Sequence, residues 1–398
     1  MLFQHLLSAF RLRLVLGLAA VLLSSASFSA PLIPNAPNLD ADSYILVDFN
    51  TGAILAEKNA AMKAEPASIT KLMTIYVAFQ ELRNGTLRLE DKATVSKKAW
   101  RTEGSRMFIE VGKQVKIADL LLGIIVQSGN DASVTLAEHI AGTEETFAQL
   151  MNQHAQTLGM ADTNFVNATG LPSKNHLTTA RDIATLAAAI IRDFPEYYDW
   201  YSMNEFTYNG IRQFNRNKLL RRDRTVDGLK TGHTESAGYC LAASAKRDDM
   251  RLISVVLGTD SDNERANQTQ ALFNYGFRFF ETHQLFTAKQ IIETPRLWGG
   301  AKEQLSVGSG TPLKVTIPRG QAKALKLSSS YNGQLMAPVQ AGDLVGQIQV
   351  TLQNKLVANQ PLVALETIPK GTIFQQLKDK VLLMFEDDPT TEATEQAQ

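Results

Sequence analysis

The apolar positions of this chain fall into stretches of different period, and each stretch predicts a different kind of element. Near the start, Arg11 and Arg13 precede an apolar run over 14–23, and the small residues of "SSASFSA" follow. Basic, apolar and small-residue regions in that order read as a secretory signal. The run is short for a membrane span. Residues 1–29 are therefore read as a signal peptide cleaved after Ser29, with Ala26 as second choice, and the mature chain as exported. Next, "SYILVDFNTGAILAEKNA" sets two apolar strands around Asn50-Thr51-Gly52, a hairpin pattern. "EPASITKLMTIYVAFQELRNG", residues 65–85, reads as one helix, apolar on one side and closed by Asn84-Gly85. "KIADLLLGIIVQ" and "ASVTLAEHIAG" read as two helices separated by "SGND", the second ended by Gly142. Two more helical patterns, "ETFAQLMNQHAQTLGM" and "ARDIATLAAAIIRDF", flank the loop "ADTNFVNATGLPSKNHLTT".

From Phe206 onward the pattern turns to strands. "GYCLAASAKRDDMRLISVVLGT" predicts a hairpin turning at Asp248-Asp249, and "TQALFNYGFRFFETH" a helix that packs on that sheet. Strands first, helices in the middle and strands last imply an α+β domain, placed at 38–286, whose sheet is assembled from distant parts of the chain. Residues 297–369 lack a helical period and carry turn signals at "GSGTP", "PRGQ", "YNGQ" and "QAGD", which predicts a second, all-β domain at 293–370. In 371–386, Ile373, Phe374, Leu377, Val381, Met384 and Phe385 share one helical face, with Gln375, Lys378, Asp379 and Lys380 away from it. That helix lies in a membrane interface or docks on the β domain; export and a terminal position favour the membrane. The acidic tail 387–398 is read as disordered and leaves binding to apolar burial.

Composition narrows the classes. The 398 residues are 44% apolar and 20% charged, with 40 basic and 40 acidic side chains. A balanced chain has no basic field to bind nucleic acid. Cys240 is the only cysteine, so no intrachain disulfide forms, and its apolar surroundings predict a buried, inert thiol. The six histidines show no metal-ligand spacing, so neither metal nor other cofactor is expected.

Ser68 and Lys71 are three apart and share a helix face. A lysine whose pKa is lowered by burial or a nearby cation can take a serine's proton; the plain alternative is a helix cap and a solvated lysine. Ser128 and Asn130 sit in a polar turn after an apolar helix, where a capping turn is the plain reading. Lys230, Thr231 and Gly232 end a short apolar segment, and Gly232 would let a substrate backbone lie close. Each is weak alone. Together, S-x-x-K, then S-x-N about 60 residues on, then K-T-G about 100 further, form the ordered set of the penicillin-interacting serine enzymes, here with Ser128-Gly129-Asn130 in the middle.

"PASITKLMT", "VQSGND", "FTYNGIRQFNRN", "VDGLKTGHTESAGY" and "MRLISVVLGT" further resemble the low-molecular-mass penicillin-binding proteins, specifically D-alanyl-D-alanine carboxypeptidases of the penicillin-binding protein 5 and 6 type. The likeness continues through "TIPRG", "LMAPVQ" and "PLVALETIP" to the terminal helix. It implies a serine β-lactamase/transpeptidase-like domain, an antiparallel sheet flanked by helices, followed by a small β domain. It implies Ser68 as acylated nucleophile, Lys71 as general base, Ser128 as proton relay and Asn130 as holder of the substrate backbone. Lys230 and Thr231 would meet the substrate carboxylate, and the N–H groups of Ser68 and His233 would form the oxyanion hole. Arg265 and Arg216 match family positions near the carboxylate and lining the site. Lys230 and Arg265 would lower the pKa of Lys71.

The function so implied is removal of the terminal D-alanine from peptidoglycan pentapeptides, on the periplasmic face of the inner membrane, with β-lactams as covalent inhibitors. The alternatives are a β-lactamase-like hydrolase or an endopeptidase on the same scaffold, or a scaffold without catalysis. No E-x-x-L-N deacylating motif lies between the second and third motifs, and the intact motifs disfavour an inert scaffold.

Overall fold

The first hairpin is set by one carboxylate. Asp48 Oδ1 accepts the N–H groups of Asn50 at 2.7 Å and Thr51 at 3.0 Å, and Gly52 takes φ +73°. This side-chain-made turn joins β1 (Ser43–Asp48) to β2 (Ile54–Lys58). The computed structural model describes residues 33–385; the signal segment 1–29 and the tail 387–398 read from the sequence lie outside the described residues.

The remaining strands of this sheet come from much later in the chain: β3 (Val226–Thr234), β4 (Gly238–Arg247) and β5 (Met250–Thr259). The order is β2-β1-β5-β4-β3, all antiparallel, so β1 pairs with β5 and β3 forms one edge. Start and end of the domain thus build one sheet, as the pattern predicts. Its two faces follow from strand alternation. Ile45, Ile253, Val255 and Leu257 join the large apolar cluster with the helices, while Leu46 and Leu252 face Gly276 on the opposite side.

On the first face pack α1 (Lys71–Asn84), α2 (Ile117–Leu122), α3 (Asn130–Ala141), α4 (Glu144–Thr157) and α5 (Ala180–Asp193). On the other lies α6 (Asp262–Phe279), capped by Ser261, whose Oγ accepts the Glu264 N–H. Helix α1 is central. Every residue from Lys71 to Phe79 is buried, so the helix is enclosed rather than apolar on one side only. Nor does one helix run from 65. Ala67–Thr70 forms a 3₁₀ turn, with Ala67 at φ +44°, and no side chain caps either segment. Ser68 therefore lies in a tight turn before the helix rather than at an N-cap. Gly85 closes α1 at φ +77°.

The sequence "FETH", residues 280–283, is not helical. Phe280 starts β6 (Phe280–Phe286), which pairs with β9 (Leu313–Pro318), because the ladder to that strand satisfies its backbone better than another helical turn. This strand, assigned from sequence to the first domain, thus belongs by pairing to the second. There, β7 (Ile291–Glu293), β8 (Val307–Gly308), β10 (Leu325–Tyr331), β11 (Leu344–Leu352) and β12 (Lys355–Ala364) form a sheet in the order β7-β8-β12-β11-β10. Leu313, Val315 and Ile317 alternate inward and pack with Ile348 and Val350. The first hairpin turn docks here. Thr282 bonds Asp48, Thr51 bonds Thr316, and Lys314 donates to Asn50 Oδ1 at 3.2 Å.

Helix α7 (Ile373–Leu383) opens with a capping box of Thr372 and Gln375. It is held to the β domain by a polar side chain. Asp379 is buried, accepts the Gly299 N–H at 2.7 Å and pairs with Arg296, whose guanidinium lies 3.8 Å above the Trp298 ring. The apolar residues point away: Phe374 is 82% and Phe385 86% exposed. Docking on the β domain therefore leaves the apolar face free.

One glycine carries the approach of the long loop 158–179 to the helical layer. Gly170 has φ +82°, and a Cβ there would lie 1.7 Å from the Ala67 carbonyl oxygen. Gly170→Ala must displace the turn that bears Ser68 and strain its own backbone. The expected loss is about 2 kcal/mol or more of unfolding free energy in urea; a change within about 0.5 kcal/mol would refute the contact.

Candidate active site

Lys71 is fully buried, and its Nζ has three partners within hydrogen-bond distance: Ser68 Oγ at 2.9 Å, Asn130 Oδ1 at 2.7 Å and the Thr169 carbonyl oxygen at 2.6 Å. They come from the 3₁₀ turn, the start of α3 and the loop 158–179. The orientation of Asn130 is fixed by its other end, because Nδ2 donates to the Glu103 carbonyl at 2.6 Å. Two of the three partners, the Asn130 and Thr169 oxygens, can only accept. A neutral amine offers two hydrogens and one lone pair. With both hydrogens on those acceptors, its lone pair faces the one partner able to donate, the Ser68 hydroxyl.

Burial favours that neutral form. The Lys71 amine is held at a pKa of about 7, first by desolvation and next by the charge of Arg216, with Asp131 opposing. Sequence reasoning expected Lys230 and Arg265 to do this; instead desolvation comes first, and the charge that follows it is Arg216. Lys230 is also buried, donates to its neighbour's Thr231 carbonyl at 3.0 Å, and lies well below the ordinary lysine range through desolvation and the charges of Lys71, Arg216 and Arg265.

A cavity of about 690 Å³ opens in front of these groups. Ser68, Ser128, Asn130, Arg216, Thr231, Gly232, His233 and Arg265 all line it, with Lys218, Arg221 and Asp262 on its wall. The structure thus gathers the sequence-derived candidates at one place, Lys71 and Lys230 lying behind the surface. Ser128 ends a π-turn (Gly123–Gln127) at φ +65°, a left-handed conformation unusual for serine. Its Oγ is buried without a hydrogen-bond partner among the described residues. Arg265, 6% exposed, donates to the Gly232 carbonyl at 2.9 Å and pairs with Asp262. The His233 ring packs on Tyr239 with centroids 3.9 Å apart.

Two residues have a further role inside the protein. Asn130 lines the cavity, and its side chain also orients the lysine, with its oxygen on Lys71 and its nitrogen on the Glu103 carbonyl. Gly232 lines the cavity too. A Cβ there would lie 3.1 Å from the Pro66 carbonyl and 3.2 Å from Ala67 Cβ, so the glycine also lets β3 pack on the Ser68 turn.

Sequence reasoning missed the residues that hold this wall together. The Asp131 carboxylate collects the N–H groups of Met107, Phe108 and Ile109 at 2.8, 2.9 and 3.3 Å, fixing the segment that supplies the Glu103 carbonyl. Asn167 Oδ1 accepts the N–H groups of Thr169 and Gly170, shaping the turn that presents the Thr169 carbonyl. Asp131 in "SGND" is a legible signal, since it lies in the turn read as capping; a backbone carbonyl leaves none. Cys240 is buried, and burial pushes its thiol up to about 11. Among the described residues no group of three or more His, Cys, Asp or Glu is placed to hold a metal.

Comparison with known proteins follows this geometry. Residues 30–261 match the family model described as D-alanyl-D-alanine carboxypeptidase, and residues 280–370 match the penicillin-binding protein 5 C-terminal domain. The chain is 44% identical over 385 residues to the D-alanyl-D-alanine carboxypeptidase DacC of Escherichia coli K12, covering 94% of this chain and 96% of that one. It is 42% identical to DacA of the same strain over 388 residues, with the same coverage. Its fold is similar to the crystal structure of penicillin-binding protein 5 from Haemophilus influenzae, with TM-score 0.82 and 39% identity over 85% of this chain and 100% of that one.

The Arg216 charge is a named cause of the low Lys71 pKa, so its removal has a sign. In Arg216→Ala the titration midpoint of Lys71, followed by ¹³Cε shift in lysine-labelled protein, should move above 7. An unchanged or lower midpoint would remove Arg216 from the account.

Proposed function

The chain belongs to the D-alanyl-D-alanine carboxypeptidase family, and from that premise we propose that Ser68 is its nucleophile and Lys71 its general base. The enzyme is a serine-type carboxypeptidase that removes the terminal D-alanine from peptidoglycan stem peptides. What carries the residue assignment is the lone-pair geometry at Lys71: two partners that only accept, and one hydroxyl that can donate.

The chemistry then runs as follows. Ser68 Oγ attacks the carbonyl carbon of the penultimate residue as its proton passes to Lys71 Nζ. The oxyanion is held by the backbone N–H groups of Ser68 and His233. The proton continues through the Ser128 hydroxyl to the leaving nitrogen, the C–N bond breaks, and D-alanine departs. Water then attacks the ester, giving its proton to Lys71, and Ser68 Oγ leaves with a proton restored. The carboxylate of the departing residue is met by Thr231, Lys230 and Arg265, which selects a chain end over an internal bond. A β-lactam amide opens in the same way, but its nitrogen stays tethered in the adduct, so the leaving group blocks the water and the acyl-enzyme persists.

Export and membrane association belong to the same proposal. No described helix is long and apolar enough to cross a membrane. Helix α7 instead presents Ile373, Phe374, Leu377, Met384 and Phe385 to the outside while its Asp379 side is bonded to the β domain. An apolar face held outward in this way fits the interfacial plane of a bilayer, at the periplasmic face of the inner membrane.

Ser68→Ala should abolish labelling by a fluorescent penicillin and lower D-alanine release from a D-Ala-D-Ala peptide by about a thousandfold or more; persistent labelling would move the nucleophile elsewhere. Rapid nitrocefin turnover without D-alanine release would favour a lactamase. The kcat/KM profile should show an acid limb near 7, falling about tenfold per pH unit below it as Lys71 takes a proton. Deleting 373–398 should shift the protein from membrane to soluble fractions with peptide cleavage retained. No shift would count against the interfacial helix.

A further inference from the structure

The buried wall behind Lys71 contains a histidine that the mechanism above does not use. His176 is 1% exposed and sits on the return limb of the loop 158–179. Its Nδ1 lies 3.0 Å from the Val166 backbone nitrogen, on the outgoing limb of the same loop, and its Nε2 lies 2.8 Å from Thr70 Oγ1. A backbone N–H can only donate, so Nδ1 must be unprotonated. The ring proton is therefore on Nε2 and is donated to Thr70, the residue immediately before Lys71. One neutral ring thus joins both limbs of the loop to the turn that carries the catalytic pair. The segment between the two limbs contains Thr169, whose carbonyl receives the Lys71 hydrogen at 2.6 Å.

We propose that His176 is a positioning residue for the Ser68–Lys71 pair: as a neutral ring protonated on Nε2, it clamps Thr70 to both limbs of the loop and so keeps the Thr169 carbonyl, and the dry wall it belongs to, closed over the lysine. The inference rests on the assignment of Lys71 as general base for its catalytic consequence; its structural consequence is read at Lys71 itself.

The clamp has two independent supports. Geometry requires the neutral form, because a doubly protonated ring would point a second hydrogen at the Val166 N–H. The ring's surroundings enforce it, since desolvation first and the nearby Lys71 second lower His176 to about 4. The ring therefore keeps one donor and one acceptor throughout the range in which Lys71 titrates. Other bonds also hold the loop: Thr74 Oγ1 donates to the Ala168 carbonyl at 2.7 Å, and the Ala168 N–H donates to Glu144 at 3.1 Å. Loss of the clamp thus loosens the wall without removing it. The charges facing Lys71 from the other elements are Asp131 on α3, Lys230 on β3 and Arg216 in the segment before β3, and none of them is bonded to the His176 ring, whose partners are Thr70 and Val166. The expected change is water entry, which relieves the desolvation that dominates the Lys71 shift.

The test compares His176→Ala with His176→Gln, whose Oε1 can accept from Val166 and whose Nε2 can donate to Thr70. In the full chain, the Lys71 midpoint by ¹³Cε shift should rise by about one unit in the alanine variant and stay near 7 in the glutamine variant. With it, kcat/KM at pH 6 should fall about tenfold in the alanine variant only. A lowered unfolding midpoint with no change at Lys71 would make His176 merely structural and overturn the proposal; so would equal shifts in both variants. If the Lys71 midpoint rises while the acid limb of kcat/KM stays put, the clamp stands and the base assignment falls. Should the alanine variant fail to fold, Thr70→Val removes only the acceptor, and must raise the midpoint for the proposal to survive.

Discussion

A lysine amine sealed from water is the constraint on which the rest of this structure depends. Burying an ammonium without partners costs far more than one hydrogen bond returns, so the amine must either be neutral or be met on every side. Here both happen. Three partners from three separated segments converge on Lys71, and desolvation brings its proton affinity down to the range where it exchanges near neutrality. None of the three segments holds that geometry alone. Asn130 is aimed by the Glu103 carbonyl, whose segment is held by the Asp131 carboxylate. Thr169 is presented by the Asn167 side chain, and the loop reaches the helix because residue 170 has no Cβ.

The larger architecture serves the same end. Helix α1 is enclosed by the other helices and the sheet for its first nine residues, which places its N-terminal end, and not its middle, against the edge strand β3. The local strain at the site is concentrated there too. Ala67 and Ser128 both occupy left-handed backbone conformations that their side chains disfavour, and they bracket the cavity from two elements. Such conformations persist where packing over-determines them. The sheet with α6 behind it and the helical layer in front supply that rigidity. The β domain, tied to the first hairpin turn through Asp48, Asn50 and Thr51, adds a second body that carries α7 without touching the cavity.

Much of this was legible in the sequence. Strand and helix periods located the split sheet, the helical layer and the hairpin at Asp248-Asp249, because those elements are long and regularly buried. The ordered motif triplet located the cavity wall, because side chains carry its chemistry. What was not legible shares a physical cause: it depends on backbone groups or on contacts between distant segments. The Thr169 and Glu103 carbonyls leave no residue-type signature. The close approach of the Pro66 carbonyl to Gly232 could not be read from the residue type alone. The Phe280 strand continued a helical pattern locally, and only its ladder to β9 decides against it. The bonds of Asn130 to Lys71 and to the Glu103 carbonyl were not legible either, since the motif fixes the amide but not its partners inside the protein.

The cations of the site divide into two kinds, and the division follows from how each responds to burial. Guanidinium groups keep their charge in proteins, so Arg216 and Arg265 supply a field that does not vanish when the cavity dries. Ammonium groups yield their proton under the same conditions; Lys71 is shifted downward in part by Arg216, and Lys230 in part by both arginines. A site built from lysines alone would lose its attraction for a carboxylate as soon as its base became neutral. A site built from arginines alone would have no group able to take the serine proton. With both present, the proposed base can be neutral while the cavity remains positive. Under the proposed mechanism a carboxylate arriving beside Lys230 would favour the charged form of that lysine, because an opposite charge nearby offsets part of its desolvation. Lys71 has no carboxylate among its hydrogen-bond partners, and the charge of Asp131 offsets only part of its shift. Its partners are a hydroxyl, an amide oxygen and a peptide carbonyl, so in the proposed mechanism the two lysines, alike in burial, would separate in role when substrate binds.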